Sequence, residues 1–297
     1  MPDKSLLPID AIAAQRWAAH AHTESAWLHD EVARRMAERL AWIRVPVQRW
    51  AHWEPVLGGA QARQWLAAQY PDAECFEVLA QAQTAQAAIK TEEKKWWHRL
   101  VPGGASAPKV HVVAEPPEAA MQLVWANMQA HQASEPAALL ADWLRALEVG
   151  GFLMFSCLGP DSLRELRGLY AELGWPPPAH EFTDMHDWGD RLVTAGFADP
   201  VIDMEPLTLT FATPERLLAE LRGLGRNLHP ERYAALRTPA WRARLLAAMD
   251  RRLRAGPGEP LTLTFELIYG HAIHPAPRAP QAPMRFTRRR GESQAGA

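Results

Sequence analysis

The chain has 297 residues, of which 48% are apolar and 22% charged, with a net charge of −2. This composition supports a sizeable core, excludes global disorder, and argues against a protein that coats nucleic acid. Cys75 and Cys157 are too few for a disulfide framework or, by themselves, a zinc site; no apolar run reads as a membrane span, and Met1–Ala14 lacks the segments of a secretory leader, so a cytoplasmic protein is expected.

Glu24–Ile43 reads as an amphipathic helix, with Leu28, Val32, Met36, Leu40 and Ile43 in one stripe and i,i+4 charge pairs opposite. Next come a weak strand over Val47–Leu57 ending at Gly58-Gly59, a helix over Gln61–Gln69, a strand over Glu74–Leu79 and a helix over Gln81–Trp97. Lys109–Val113 and Met121–Met128 read as strands. Pro136–Leu147 is a helix that Gly150-Gly151 ends. Phe152–Leu158, an apolar run between glycines, reads as a central parallel strand. Pro160 and Asp161 open a further helix that reaches Leu173.

The last third changes character. Pro200–Phe211 is strand-like with a break near Pro206, and Leu261–Ile273 is the strongest strand in the chain. Helices over Pro214–Leu224 and Pro239–Leu253 lie between them, so an antiparallel pair carries a helical insert. Beyond His274 the Pro-rich, polar composition, with Arg288–Arg290, predicts a disordered tail. The expected organisation is an amino-terminal segment and helix (1–43), an α/β core (44–213), an Arg-rich helical insert or lid (214–260), the last core strand (261–274) and the tail (275–297). Residues 214–254 hold ten arginines against four acids, a local balance of +6 that leaves −8 for the rest. The asymmetry points to an acidic partner or ligand, with a solvated helical face as the plainer alternative.

In such a sheet, ligands sit beyond the carboxyl ends of the strands at the topological switch point. The candidates there are the turn Val56-Leu57-Gly58-Gly59-Ala60, Glu77 as the acid nearest the second strand's end, Glu115 after the third strand, and Asn127 and Met128 after the fourth. Arg222 and Arg226 are candidates for gripping a carboxylate. His180, His186, Asp187 and Asp190 lack a recognised zinc spacing, and Asp184–Asp190 reads instead as a capped helix start. No metal is expected.

Leu-Val-Trp-Ala-Asn-Met at 123–128, the run from Leu139 to Ser156, and Gly-Pro-Asp-Ser-Leu-Arg-Glu-Leu at 159–166 carry a resemblance. So do Asp184–Phe197, Glu220–Gly225 and Pro260–His271. Over roughly residues 15–274 the chain resembles the class I S-adenosylmethionine-dependent methyltransferases. More narrowly, it resembles the malonyl-carrier-protein O-methyltransferases of biotin-precursor synthesis. The resemblance implies a Rossmann-like, mostly parallel seven-stranded sheet with helices on both faces and the Arg-rich insert before the last strand. It also implies S-adenosylmethionine as donor and an acyl carrier protein bearing a malonyl group as partner; neither a nucleic-acid nor a membrane partner is expected from the charge and the absence of a long apolar run. The family's first motif is an acidic strand end before Gly-x-Gly-x-Gly; here the stretch runs Trp50-Ala-His-Trp-Glu-Pro-Val-Leu-Gly58-Gly59. Methyl transfer to a carboxylate needs alignment and exclusion of water more than a general base, so no catalytic base is assigned. Three readings follow: an active methyltransferase of this family, a catalytically inactive relative kept as a binding or regulatory partner, and a methyltransferase for another acidic acceptor.

Overall fold

The structure, a computed structural model, describes residues 9–19, 24–80, 109–233 and 235–277. The expected helix over Gln81–Trp97 and the tail from residue 278 lie outside the described residues. Seven strands form one sheet in the order β3-β2-β1-β4-β5-β7-β6. They are β1 (Arg49–Trp53), β2 (Glu74–Val78), β3 (Val110–Val113), β4 (Met121–Ala126), β5 (Leu147–Leu158), β6 (Ala198–Phe211) and β7 (Leu261–Ile273). β1 to β5 pair in parallel, and β7 runs antiparallel to both β5 and β6. The order turns at β1 and β4, which places the switch point between their carboxyl ends.

Helices α2 (Trp27–Leu40), α3 (Ala62–Gln69), α5 (Arg164–Glu172), α7 (Pro214–Leu224) and α8 (Pro239–Arg252) share one core layer with Trp50, Trp125 and Phe265. Helices α4 (Pro136–Ala146) and α6 (Met185–Ala195) close the other face over Val124, Phe155 and Ile268. The tryptophans at 50, 125, 143 and 188 are fully buried. Each such ring takes roughly 150–250 Å² out of water, so these four rings contribute heavily to the two core layers.

Capping explains most helix starts. Asp184 accepts the amides of His186 and Asp187 at the start of α6, as expected, and the left-handed Gly196 ends that helix. Thr213 and Thr238 cap α7 and α8, each followed by proline at the first helical position. A short helix missed in the sequence, α1 (Ala11–Ala18), is capped by Asp10. None of the described helices is long and apolar enough to cross a membrane.

Three expectations change. Gly150-Gly151 do not end α4, which stops at Ala146; they lie inside β5, where the β4 register shifts. A Cβ at Gly151 would sit 2.8 Å from the Met121 carbonyl, so the irregular pairing requires glycine. Pro160 and Asp161 do not begin α5. Residues 159–163 form a turn held to β7, with the Asp161 amide on Glu266 Oε2 (2.7 Å) and the Ser162 hydroxyl on the Glu266 carbonyl (3.1 Å). Pro206 does not break β6, because β6 is the edge strand and an outward position needs no N–H.

Candidate functional site

The β1 strand ends at the switch point in a turn whose backbone and side chains point in different directions chemically. Glu54 has φ of 46°, a left-handed conformation that glycine adopts most freely. Its carbonyl accepts the Gly58 amide (2.7 Å), and its Oε1 accepts the Ala80 amide beyond β2 (3.0 Å). Burial raises the Glu54 carboxyl to about 7, partly offset by that amide. Counting back from Gly58 as the last glycine of Gly-x-Gly-x-Gly puts Glu54 and Val56 at the two earlier glycines, and the positive φ at Glu54 agrees with that register. His52 then lies near the position of the strand-end acid. It is fully buried, and neither ring nitrogen has a hydrogen-bond partner among the described residues. Burial, with a smaller contribution from the Arg63 charge, holds its imidazole down at about 3.

Gly58 and Gly59 serve close packing within the protein. A Cβ on Gly58 would lie 3.1–3.2 Å from the carbonyls of Glu54, Asn127 and Trp53. Gly59, at φ +98°, faces α2, with Ala33 Cβ and the His29 carbonyl 3.1 Å from a Cβ built on it. No tryptophan ring is among these nearest neighbours. Across the switch point, Asn127 Nδ2 donates to the Gly58 carbonyl (2.6 Å) and to the His29 carbonyl (2.8 Å). The Ser156 hydroxyl donates to Asn127 Oδ1 (2.5 Å) and accepts the Met128 amide (3.0 Å), where Met128 takes φ of 56°. One buried amide thus ties β1, β4, β5 and α2 together at the point where a ligand is expected.

The other predicted residues are spread out. Glu77 lies within β2, on the α3 side, and pairs with Arg63 of that helix (2.8 Å). Glu115 is exposed beyond β3. Arg222 and Arg226 lie at the carboxyl end of α7, and the Arg226 guanidinium donates to the carbonyls of Arg222 (2.6 Å) and Gly225 (3.0 Å). The same guanidinium stacks over the Trp17 ring of α1 at 4.6 Å, and Trp17 Nε1 donates to Gln132 Oε1 (2.6 Å) just beyond β4. Trp17, His52 and Glu54 were not singled out from sequence. Glu54 had a signal in the altered glycine motif, whereas Trp17, in a helix of eight residues, had none.

Cavities open on the β5 side. One of about 110 Å³ at the end of β5 is walled by His131, Leu158, His180, Phe182, Arg226 and Phe265, among others. His180 Nε2–H donates to the His131 carbonyl (2.7 Å), and burial holds both imidazoles low, His180 at about 4, so both are neutral near pH 7. His186, by contrast, is exposed on α6, and among the described residues no three His, Cys, Asp or Glu side chains are grouped to hold a metal. A second cavity of about 460 Å³ between α7 and α8 has Arg222, Arg226, Arg237 and Arg242 over Tyr170, Leu221 and Trp241. Arg226 and Asn227 line both, so the two abut.

No protein-family model matches the chain. The malonyl-[acyl-carrier protein] O-methyltransferase of Gallionella capsiferriformans is 36% identical over 271 residues, 88% of this chain and 89% of that one. The protein of the same name from Laribacter hongkongensis is 35% identical, covering 88% and 87%. The chain belongs to the malonyl-[acyl-carrier protein] O-methyltransferase family. Solved structures agree on the fold alone. The BH2331 protein of Bacillus halodurans matches with a TM-score of 0.52 at 15% identity, over 83% of this chain and all of that one. YcgJ of Bacillus subtilis also gives 0.52, at 13% identity, over 83% and 99%. The fold is the Rossmann-like fold of class I methyltransferases, with a mostly parallel seven-stranded sheet. The β1 turn lacks the Gly-x-Gly-x-Gly of the resemblance, and the β5–β7 half carries most of the motifs quoted above.

Proposed function

We propose that the protein transfers the methyl group of S-adenosylmethionine to the free carboxylate of a malonyl group carried on acyl carrier protein. The observation that carries this reading is similarity at 35–36% identity over 88% of the chain to proteins of that name. The donor, when bound, supplies an activated methyl on a sulfonium leaving group.

The residues at the switch point are compatible with such a cation. The Glu54 turn has the glycine-like backbone that a close approach needs, and its carboxyl, raised by burial to about 7, would be drawn toward its ionised form beside a cation. Asn127, braced by Ser156 and Gly58, fixes the mouth between β1 and β4. On the acceptor side Arg226, with Arg222 beside it, orients the malonyl carboxylate; an arginine fork suits a carboxylate geometrically. The neutral, buried His131 and His180, together with Phe182 and Phe265, keep the inner cavity dry and lend no proton chemistry. Alignment and water exclusion then carry the rate, with the negative charge of the nucleophile already present on the substrate.

Isothermal titration with S-adenosylmethionine and a labelled-methyl assay on malonyl-carrier protein test the reading. Micromolar donor binding and base-labile methyl ester on the carrier are expected. Absence of heat up to millimolar donor, with no ester formed, rejects the reading and favours the binding-partner alternative.

A further inference from the structure

Five of the insert's ten arginines, Arg222, Arg226, Arg232, Arg237 and Arg242, line a cleft. The cavity of about 460 Å³ between α7 and α8 abuts another of about 470 Å³, between α1 and the segment joining α7 to α8. The second is lined by Arg16, Trp17, Arg226, Asn227, Arg232 and Arg237. Of these cleft arginines Arg232 is matched by Asp10 (2.7 Å), whereas Arg16, Arg222, Arg226, Arg237 and Arg242 have no carboxylate partner among the described residues. Of the insert arginines that do not line the cleft, Arg252 pairs with Glu172 and Arg254 with Asp250, whereas Arg216, Arg244 and Arg251 have no carboxylate partner among the described residues.

The cleft is also built rather than merely charged. Arg237 lies over Trp241 at 4.3 Å, Trp241 stacks on Trp175 at 4.9 Å, and Arg226 lies over Trp17 at 4.6 Å. Guanidinium groups laid on rings are held in place with N–H groups left at their edges for an anion; at Arg226 Nη1 is already taken by the Arg222 and Gly225 carbonyls, so the other N–H groups would serve. Inward, the walls turn apolar through Leu218, Leu221 and Leu245 and narrow to the cavity of about 110 Å³ at the end of β5.

We infer that this arginine-lined cleft is the docking surface for an acidic carrier protein, whose tethered acyl arm enters between α7 and α8 past Arg226 to the end of β5. The inference rests on the functional reading above and names the surface and route that reading leaves open. A broad cationic rim leading to a narrow apolar bore fits a compact anionic partner that presents one thin arm. A nucleic acid would instead call for a basic stripe along its length.

The test is direct binding, which needs no methyl donor. Fluorescence anisotropy of labelled holo acyl carrier protein against the full-length protein should give affinity that weakens at least about tenfold between about 50 and 300 mM salt. Reversing Arg237→Glu and Arg242→Glu together should weaken binding by about tenfold or more at low salt, whereas Arg237→Lys with Arg242→Lys should retain most of it. Reversing Arg216→Glu and Arg251→Glu, with the same change in net charge on exposed positions that do not line the cleft, should change affinity less than about twofold. Equal losses in the two charge-reversed pairs overturn the inference, because net charge alone would then explain binding. Unchanged affinity in the first pair, or displacement of the carrier by an RNA duplex at equal concentration, also overturns it. Intact binding with no methyl ester formed would reject the catalytic reading and support the docking surface.

Discussion

The β1 turn and the β5–β7 wing meet at the same switch point but differ in which level of structure they keep. At the β1 turn the backbone takes a glycine-like course while the side chains depart from the family motif: Glu54 sits in a left-handed conformation, and His52 is sealed beneath it with unmatched nitrogens. In the β5–β7 wing side chain and backbone agree, so that Gly270 stands opposite Phe155 in register and Ser162 bonds both polar groups of Glu266's backbone. The difference teaches that a fold can hold a turn by tertiary packing after its local sequence preference has gone. Asn127 on the Gly58 carbonyl and α2 against Gly59 supply that packing here.

The largest expected effect lies in the wing. A Cβ at Gly270 would come 1.9 Å from Phe155 Cε1, and the Phe155 ring is hemmed in by Trp143 at 5.9 Å and Trp188 at 5.8 Å. Gly270→Ala should therefore cost about 3 kcal/mol or more in urea unfolding, at or beyond the upper end of ordinary overpacking. Adding Phe155→Leu should recover part of that loss, giving a double mutant more stable than the two single effects predict by addition. Strict additivity would mean that the wing tolerates the methyl group by backbone movement and is no tighter than the β1 turn.

This contrast also accounts for what was legible beforehand. Strands with strong alternation or continuous apolar runs, such as Leu261–Ile273 and Phe152–Leu158, declared themselves because burial imposes the pattern residue by residue. The capped α6 and the proline-started α7 and α8 were equally plain. Gly150-Gly151 were misread because helix termination and a strand irregularity ask the same residue for the same freedom, and only the Met121 carbonyl across the sheet separates them. Pro206 was misread because edge position belongs to the topology rather than to the local sequence. Asn127, Met128, Gly58 and Gly59 could be placed at the switch point from their strand ends, and the structure brings Asn127 onto the Gly58 carbonyl there. Glu54 was not singled out, although the register of the altered glycine motif pointed to it, because no local preference puts a charged residue in a left-handed turn; the stack of Arg226 on Trp17 joins residues more than two hundred positions apart.

A second, smaller effect concerns the charge in the β1 turn. The folded-state Glu54 carboxyl, at about 7, lies above its ordinary 4.5, so its stabilising contribution is fully present below pH 4.5 and is lost as pH rises through about 7. A difference of that size corresponds to about 3 kcal/mol at most. The buried His52 and His180 act in the opposite direction, losing stability as pH falls from 6.5 toward 3 and 4, so the wild-type curve mixes both signs. Glu54→Gln isolates the carboxyl: its stability relative to wild type should climb between pH 4.5 and 7 and stay level above pH 7.5, as read from urea midpoints. A pH-independent difference would mean that the carboxyl reaches water and the turn is as open as an ordinary loop.

The smallest effect bears most directly on why the turn departs from its motif. His52 holds two polar nitrogens in the core layer beside Trp50, at 5.5 Å between rings, and an imidazole without partners costs about 1–3 kcal/mol of desolvation. Replacing it with a side chain of similar volume and no polar atom, His52→Leu, should raise stability by about 1 kcal/mol, the ring's lost packing taking back part of the gain. Calorimetry of S-adenosylmethionine binding on the same variant decides what the nitrogens are for. Higher stability with unchanged donor affinity would make His52 a packing residue left behind where the motif's acid stood. Higher stability with a donor affinity at least about tenfold weaker would make the unmatched imidazole part of the donor site, its desolvation cost offset only when that site is filled. A loss of stability would show instead that the nitrogens are already satisfied in the folded chain, and the β1 turn would then be as fully matched internally as the wing that flanks it.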